Sequence, residues 1–531
     1  MAKRLRGTLV GTAVWSLSLL WFLWRIRRPF PSNDEGVTYR DLMRTWSQLG
    51  LLWDSGDAPL LPYYAVAKAW SETLHVVLGI PYSIGAVRSL SATAGAFAVT
   101  SVYAIVARHR GRVSALFSAL ALALLPGMSA AAQDARPYAL LILGTTLSWI
   151  TWDRSRESTA LLPESARRRR AGHSAQTVYA LALALAASIH LYSFLQWPLQ
   201  LLVACASPGG SLRAPLLLRR RAAGRAARAM GLAGLIVVYP TLAIVSRGTG
   251  GAHHEEVTVL GAVKVAAHTV LPMMTRPALP DLALLFFFLV ALLEVAREAW
   301  ARSQADMMAS DYLLMVLTWL VGTIGLGFGL ALWRPNLMQS RYWLPVIVPI
   351  SMIMGAGIGG VARAFASSWH KCRPRLLTAT LAVILVFALA TLLFLLGLPP
   401  NVRLREPRGH GTDPRPALQV ASTLAREYPG LHVSVLSGAD ADGVAPVAPE
   451  MLSDNLLLVE RVDSNYVWPG ARSRREVAQM LSDPAPVLVL RGGANQVGWR
   501  SPPQVLTSLG YKIVWTRRVS DLWTAIFMER G

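Results

Sequence analysis

Long runs of apolar residues, separated by short basic clusters, dominate the first 400 residues of the chain. A helix that crosses the hydrocarbon core of a membrane needs about 20 predominantly apolar residues. Eleven segments approach this length, so the pattern predicts a polytopic α-helical membrane protein. The predicted spans are 8–24, 84–106, 113–130, 138–152, 177–190, 194–206, 230–246, 281–300, 312–332, 342–364 and 376–398. No small-residue cleavage site follows the first span, which we therefore predict to be an uncleaved anchor.

The loop after the first span, residues 25–83, is long but not plainly polar. Aromatic and aliphatic residues recur at helical spacing over 38–50 and 61–79, which is typical of helices that lie in the membrane interface. A span through 61–80 is the competing interpretation. Lys68 and Glu72 would make that span costly, and it would invert every later loop. We therefore predict interfacial helices in this first outer loop.

The pattern changes at the end of the last apolar run. Residues 398–416 are rich in proline and arginine, as expected of a linker. Beyond them, short β-rich runs alternate with helical stretches, which predicts a small α/β domain. The predicted strands are 431–436, 455–459, 486–490 and 512–515, and the predicted helices are 416–427 and 473–481. The chain is thus predicted to have two domains, a transmembrane catalytic domain (1–400) and an extracytoplasmic α/β domain (401–531).

Composition supports the membrane assignment. Only 15% of the 531 residues are charged, against about 25% in an average soluble protein. This deficit excludes a disordered chain and an ordinary soluble enzyme. The net charge of +22 would indicate a nucleic-acid partner in a soluble protein, but the basic clusters are interpreted here as determinants of topology, and no nucleic-acid partner is predicted.

The distribution of arginine and lysine predicts one orientation, with the N-terminus in the cytoplasm. The loops predicted to lie inside carry most of the basic clusters; they are 107–112, 153–176, 207–229, 301–311 and 365–375. The loops predicted outside are 25–83, 131–137, 191–193, 247–280 and 333–341. An odd number of spans then places the C-terminal domain outside. The alanine- and arginine-rich composition suggests a bacterial cytoplasmic membrane. The basic residues 25, 27 and 28 depart from the rule and cap the outer end of the first span.

Unusual polar residues gather in the loops predicted to lie outside. They are Asp34 and Glu35 after the first span, Asp54 and Asp57, the turn Gln133–Tyr138 with Asp134 and Arg136, His190 and Tyr192, the run His253–Glu256, and Arg334 and Arg341. The topology was deduced from the inside charges, so this gathering on one face is a separate observation. It predicts an outward-facing site.

Each candidate has two interpretations. Asp34 and Glu35 form a carboxylate pair that could supply a base with a raised pKa, or they are solvated loop acids. Arg136 and Arg341 could bind a phosphate bidentately, or they are interfacial anchors, with Asp134 as the partner of Arg136. His190 is either a binding residue or a turn histidine with local hydrogen bonds. Adjacent histidines and acids in 253–256 rarely converge on one metal ion, and no metal site is predicted there.

Several motifs resemble the GT-C superfamily of membrane glycosyltransferases. An Asp-Glu pair follows the first span, Pro59–Tyr64 follows in the same loop, and Arg88 opens the second span. The stretch from Pro126 to Leu140, with Gln133-Asp134-Ala135-Arg136-Pro137-Tyr138, is similar to a "Pro…Ser…Glu-Ala-Arg-x-Tyr-x-Leu" region of glycosyltransferase family 39 and related bacterial mannosyltransferases. Arg341-Tyr342-Trp343-Leu344-Pro345 is similar to their "Arg-Tyr-Leu-Leu-Pro" region. The resemblance covers about residues 25–400.

The resemblance implies a reaction and roles for particular residues. Members of the superfamily transfer a sugar from a polyprenyl phosphate on the extracytoplasmic face, usually with inversion. An acid of the first outer loop is the base, which corresponds here to Asp34, with Glu35 beside it. Arg136 and Arg341 match positions near the lipid phosphate. Candidate substrate contacts are Asp57, Tyr63, Tyr64, Asp134, Tyr138 and His190. One departure is that Asp57–Tyr64 lacks the histidine that relatives often carry, which puts one substrate contact in doubt.

The predicted function is therefore transfer of mannose or another hexose from a polyprenyl-phosphate sugar to an acceptor hydroxyl on a glycolipid, polysaccharide or protein. The leaving group is already an anion, so neither a second acidic carboxyl group nor a cofactor or divalent ion is required. A transporter or flippase would also have many spans, but it predicts matched broken helices in two halves, which the sequence lacks. A lipid-linked glycan ligase would favour a long outer loop between late spans.

Overall fold

In the computed structural model, the chain forms two compact units. The first contains Met1–Trp24 and Ser89–Leu404, and the second contains Arg25–Arg88 and Arg405–Gly531. The first outer loop thus shares a unit with the C-terminal residues. The structure describes residues 2–54, 58–160, 166–206, 216–247, 257–270, 288–289, 291–293, 307–334, 337, 339–370, 375–406, 413–435, 479, 481, 485–492, 504–519 and 523–531.

The described residues are mostly helical. The α-helices are α1 (Ala2–Leu23), α2 (Asn33–Leu42), α3 (Trp46–Gly50), α4 (Leu61–Leu78), α5 (Ile84–Leu124), α6 (Pro126–Ala132), α7 (Tyr138–Ala160), α8 (Ala166–Ile189), α9 (Gln196–Ala206), α10 (Leu216–Arg247), α11 (Val259–Val270), α12 (Met307–Trp333), α13 (Ile347–His370), α14 (Arg375–Leu404), α15 (Arg415–Glu427) and α16 (Gln504–Ser508). Short 3₁₀ helices cover Leu51–Asp54, Ala58–Leu60, Leu191–Leu195, Ser340–Tyr342 and Leu344–Val346.

Helices occupy every predicted span that the described residues cover, and the chain is an integral membrane protein. Three described segments are long and apolar enough to cross a membrane: Ile84–Leu124, Tyr312–Trp333 and Leu344–Ala362. Shorter apolar helices include Gly7–Leu23, Ser174–Ile189, Leu191–Ala206 and Ala388–Leu404. The predicted span 281–300 lies mostly outside the described residues.

One break between helices agrees with the prediction, and two boundaries differ from it. Gly111 has φ +82°, which breaks α5 into two helices where two spans were predicted. The third predicted span, 113–130, is interrupted before Pro126, which begins α6. In addition, α14 continues through Pro399 and Pro400 to Leu404, so the first residues of the predicted linker are helical instead.

A ladder of buried polar side chains ties the helices of the first unit together. Trp149 Nε1 of α7 donates to Gln196 Oε1 of α9 at 2.9 Å, and Gln196 Nε2 donates to Thr323 Oγ1 of α12 at 3.1 Å. About one turn further along α9, Gln200 Oε1 accepts a hydrogen bond from the Tyr179 hydroxyl of α8 at 2.7 Å. Because these buried groups hydrogen-bond to one another, they join four helices in the interior of the first unit.

In the second unit, a four-stranded sheet has the order β1-β2-β4-β3, with β1 (His432–Val435), β2 (Val487–Gly492), β3 (Tyr511–Arg518) and β4 (Trp523–Arg530). The pair β1–β2 is parallel and the other two pairs are antiparallel. Three predicted strands are confirmed, and β4 was missed. The predicted strand 455–459 and most of the predicted helix 473–481 lie outside the described residues. The predicted domains 1–400 and 401–531 remain predictions.

The first outer loop forms α2, α3 and α4 instead of the two continuous helices predicted for it. Lys68 of α4 donates from Nζ to the carbonyl of Leu42 at the end of α2, at 3.0 Å. At the far end of α4, the apolar side chains of Val76, Val77 and Leu78 are exposed. This exposed apolar end fits the predicted position at a membrane surface.

Candidate functional site

Glu35 is held in a buried ion pair with Arg88. The side chains are 0% and 1% exposed, and Arg88 Nε and Nη2 donate to the two carboxylate oxygens of Glu35 at 2.7 Å each. Glu35 also completes a capping box with Ser32, accepting from the Ser32 backbone N–H at 2.9 Å while its own N–H donates to Ser32 Oγ. Both oxygens of Glu35 are therefore engaged in holding the loop.

Arg88 uses its remaining donors to fix the segment before α2. Its Nη1 donates to the carbonyls of Ile26 at 2.9 Å and Pro29 at 2.8 Å, and its Nη2 donates to that of Phe30 at 3.4 Å. These bonds connect the start of α5 with the residues immediately before Asp34. The pair of Glu35 and Arg88 thus positions the first turn of α2.

Asp34 lies in that first turn and is half-buried. Successive residues of an α-helix point about 100° apart, so Asp34 and Glu35 do not share the contact with Arg88. The N-terminal turn of a helix stabilises an ionised carboxylate through its unbonded N–H groups. Of the two acids predicted as a pair, Glu35 is therefore engaged in the ion pair and the capping box, and Asp34 is half-buried in the same turn.

The predicted tyrosine contacts belong to the packed interior of the second unit. Tyr63 and Tyr64 of α4 are both fully buried, with ring centroids 5.8 Å apart. Both rings therefore take part in packing, and their role as substrate contacts stays a prediction. Asp57 lies outside the described residues.

In the first unit, Arg136 lies in the tight turn between α6 and α7. Ser91 of α5 donates from Oγ to the carbonyl of Asp134 at 2.7 Å, which anchors this turn. The Arg136 side chain is buried, with 8% of the residue exposed. A guanidinium group in this position carries a full charge at the end of apolar helices.

His190 lies near both Arg136 and Arg341. His190 follows the last residue of α8 and lies outside the helical spans. Three tyrosine rings surround its imidazole, with distances between ring centroids of 5.7 Å to Tyr342, 6.3 Å to Tyr138 and 6.5 Å to Tyr192. The Arg341 guanidinium lies 5.5 Å from the Tyr342 ring centroid. Residues from three distant parts of the chain thus form one cluster, the arginine–histidine cluster (Arg136, His190, Arg341).

Desolvation of the imidazole, followed by the charges of Arg136 and Arg341, lowers the pKa of His190 from 6.5 to about 4. His190 is therefore neutral at physiological pH. Its Nδ1 accepts from the backbone N–H of Tyr192 at 3.3 Å, so in the neutral ring the proton lies on Nε2. The cluster offers two cationic guanidinium groups and one neutral N–H donor, a set suited to phosphate oxygens.

We expect the NMR titration of His190 to give a pKa near 4 in the whole protein, and Arg341→Gln to raise it because one neighbouring cation is removed. The unfolded chain binds the proton at pH 6.5, so this residue lowers stability as the pH falls from 6.5 to about 4. Labelled histidine, with His190→Gln to assign the signal, provides the measurement. Arg334→Gln is the matched control, since Arg334 lies over the Trp333 ring. A pKa of 6.5 in the wild type would contradict the cluster geometry.

The structure brings together part of the predicted site. Arg136, His190, Arg341 and Tyr138 meet in the first unit, and Asp34 and Glu35 share a helical turn in the second. The turn interpretation of His190 also holds, since it caps the 3₁₀ helix after it. The run 253–256 lies outside the described residues. Within the part of the chain that the structure describes, no three histidine, cysteine or acidic residues are grouped to hold a metal.

Two structural roles were not predicted. Arg88 was recognised only as the start of a span, and its partner lies 53 residues away. The Ser32-x-x-Glu35 pattern is a signal for a capping box that the sequence does contain. It would have indicated that Glu35 faces back toward the backbone of the helix start.

No family model and no curated protein matches the sequence. Solved structures match the fold. ArnT from Cupriavidus metallidurans bound to undecaprenyl phosphate aligns with 100% of this chain and 98% of that chain, with a TM-score of 0.54 and 14% identity. Its apo state gives a TM-score of 0.55 at 14% identity, with the same coverage. The archaeal oligosaccharyltransferase AglB from Archaeoglobus fulgidus has a TM-score of 0.48 at 13% identity, over 90% of this chain and 69% of that chain.

The agreement with ArnT over the full length shows that this chain has the same fold as ArnT. The predicted fold class is confirmed, and the family resemblance of the motifs is confirmed at the level of fold.

Proposed function

We propose that the protein is a membrane glycosyltransferase that takes a sugar from a polyprenyl-phosphate donor and transfers it to an acceptor hydroxyl on the extracytoplasmic face. The arginine–histidine cluster is the observation that carries this proposal, because two guanidinium groups lie near a neutral imidazole at the ends of apolar helices. A lipid phosphate needs both features, a polar site for its headgroup and an apolar surface for its chain. The undecaprenyl phosphate bound to ArnT supports this class of donor.

In the proposed reaction, the acceptor oxygen forms a bond with the anomeric carbon of the sugar. The bond between that carbon and the phosphate oxygen breaks, and its electron pair leaves with the polyprenyl phosphate. Asp34 takes the proton of the acceptor hydroxyl. Arg136, Arg341 and the Nε2–H of His190 stabilise the charge on the departing phosphate. An attack opposite to the leaving group inverts the anomeric configuration.

The proposed donor sugar is mannose or another hexose, and the acceptor is a glycolipid, polysaccharide or protein. The proposed orientation has the N-terminus in the cytoplasm and the C-terminal residues outside, in a bacterial cytoplasmic membrane. The basic loops support this orientation. The leaving phosphate is already ionised, so the proposed reaction does not require a cofactor.

The proposal is tested with purified protein in proteoliposomes, supplied with radiolabelled undecaprenyl-phosphate mannose, glucose or galactose and with lipid, polysaccharide and protein fractions as acceptors. We expect transfer from at least one donor. Arg136→Gln and Arg341→Gln should each raise the KM for that donor by about 10- to 100-fold, because a hydrogen bond between charged groups contributes about 1.5–3 kcal/mol. Arg334→Gln is the matched control. Absence of transfer from every donor, with intact protein, would contradict the proposal and favour a transporter.

A further inference from the structure

A groove of about 700 Å³ lies between α15 and the edge strand β3, entirely within the second unit. One wall is the face of α15 that carries Gln419, Thr423 and Glu427. The opposite side is formed by Trp515, Arg517 and Arg518 of β3. Sites for small molecules commonly have volumes of about 300–1,000 Å³ and combine apolar surface with a few polar groups. The groove meets both conditions, and the roles assigned above do not use it.

Trp515 provides a rigid apolar platform in this groove. Its ring stacks on Phe527 of β4, with centroids 5.6 Å apart and planes at 14°, and it remains partly exposed. Stacking on one face holds the indole in place, so the surface it presents to the groove is fixed before any ligand binds. The face of an aromatic ring carries negative charge density and attracts the weakly positive C–H groups of a flat ligand. A pyranose ring presents such C–H groups on one side.

Polar side chains along the helical wall repeat at a regular interval. Gln419, Thr423 and Glu427 are four residues apart, which spaces them by about 6 Å along α15. This interval is comparable with the length of one sugar unit in an oligosaccharide. An amide, a hydroxyl and a carboxylate are the groups that pair with sugar hydroxyls. The wall therefore suits a linear chain of hydroxylated rings.

The charges of the groove indicate a ligand with an acidic group. Arg517 and Arg518 contribute two positive charges, and Glu427 contributes one negative charge. Guanidinium groups recognise carboxylates and phosphates in a planar, bidentate geometry. The β3 side of the groove therefore presents guanidinium groups to an acidic group of a ligand.

One end of the groove adjoins the segment that carries Asp34. The Arg415 guanidinium at the start of α15 lies 4.2 Å from the centroid of the Phe30 ring. The carbonyl of Phe30 is one of those that Arg88 holds, four residues before Asp34. A chain lying along α15 would thus have its end near the proposed base, since the helix is about 18 Å long.

We propose that the groove between α15 and β3 binds the acidic oligosaccharide portion of the acceptor. This inference rests on the proposed function, because it names the acceptor class of the same reaction. Trp515 stacks on a sugar ring, Arg517 pairs with a carboxylate or phosphate, and the wall of α15 binds hydroxyl groups. The groove then directs the acceptor hydroxyl toward Asp34.

The binding test uses the full-length protein in lipid nanodiscs, with tetragalacturonate as the acidic probe and maltotetraose as the neutral one, measured by calorimetry. We expect the wild type to bind tetragalacturonate more tightly than maltotetraose. Trp515→Leu should weaken binding of the acidic probe at least tenfold, and Arg517→Gln should remove the preference between probes. Val514→Ala is the matched control, since Val514 is an exposed neighbour outside the groove. Equal binding of tetragalacturonate by wild type and Trp515→Leu, or no binding, would overturn the inference.

A kinetic readout separates this inference from the proposed function. Trp515→Leu should raise the KM for the acceptor and leave hydrolysis of the donor, with water as the acceptor, unchanged. If transfer occurs but Trp515→Leu does not change the acceptor KM, the groove inference is wrong and the proposed function stands. If probe binding depends on Trp515 but no donor supports transfer, the proposed function is wrong and the groove remains a saccharide site.

Discussion

Asp34→Asn is expected to lower the rate of sugar transfer by about 10²- to 10⁴-fold, the range that a positioned general base contributes. Asparagine has nearly the same shape as aspartate but cannot accept the proton of the attacking hydroxyl. The substitution keeps the first turn of α2, whose capping box uses Ser32 and Glu35. The rate constant kcat should therefore fall while the KM for the donor and the thermal unfolding temperature change little.

The matched control for this prediction is Glu72→Gln, which removes a partly exposed carboxylate from the same loop, paired with Lys68 at 3.2 Å. It should retain most of the activity. Full transfer by Asp34→Asn would eliminate Asp34 as the base.

Arg88→Met should destabilise the second unit by about 3–5 kcal/mol, the effect of removing one partner from a buried ion pair. Glu35 would remain fully buried without its guanidinium partner, and the carbonyls of Ile26 and Pro29 would lose their donor. Thermal unfolding monitored by tryptophan fluorescence measures the loss. Hydrogen exchange of the peptide covering residues 26–35 should increase, because this segment depends on Arg88 for its hydrogen bonds.

A double-mutant cycle measures the interaction energy between Arg88 and Glu35 separately from other effects of the two substitutions. The combined variant Arg88→Met with Glu35→Gln should be less destabilised than the sum of the two single variants, since it leaves no unpaired buried charge. Asp413→Asn is the control for an exposed pair, where Arg415 is 59% exposed, and it should cost less than about 1 kcal/mol. An equally small effect of Arg88→Met would show that Glu35 is not held as described.

Local patterns in the sequence predicted most of the helices. Hydropathy is a property of neighbouring residues, and a long apolar stretch in a membrane protein must satisfy its backbone within one helix. The same reasoning overlooked α11, whose Val259 and Ala262 follow helical spacing inside a predicted loop, and β4, which pairs with two strands at the centre of the sheet. Its neighbours in the sheet, and not its own pattern, identify β4 as a strand.

The sequence by itself determined the class of protein, the succession of apolar helices and the restricted set of polar residues from which a site could be built. The tertiary structure decided the role of each residue. It paired Glu35 with Arg88, and it placed Arg136 and Arg341 near His190. These contacts join segments 50 to 200 residues apart. Such pairings depend on how whole helices pack, which the local pattern of one sequence does not encode.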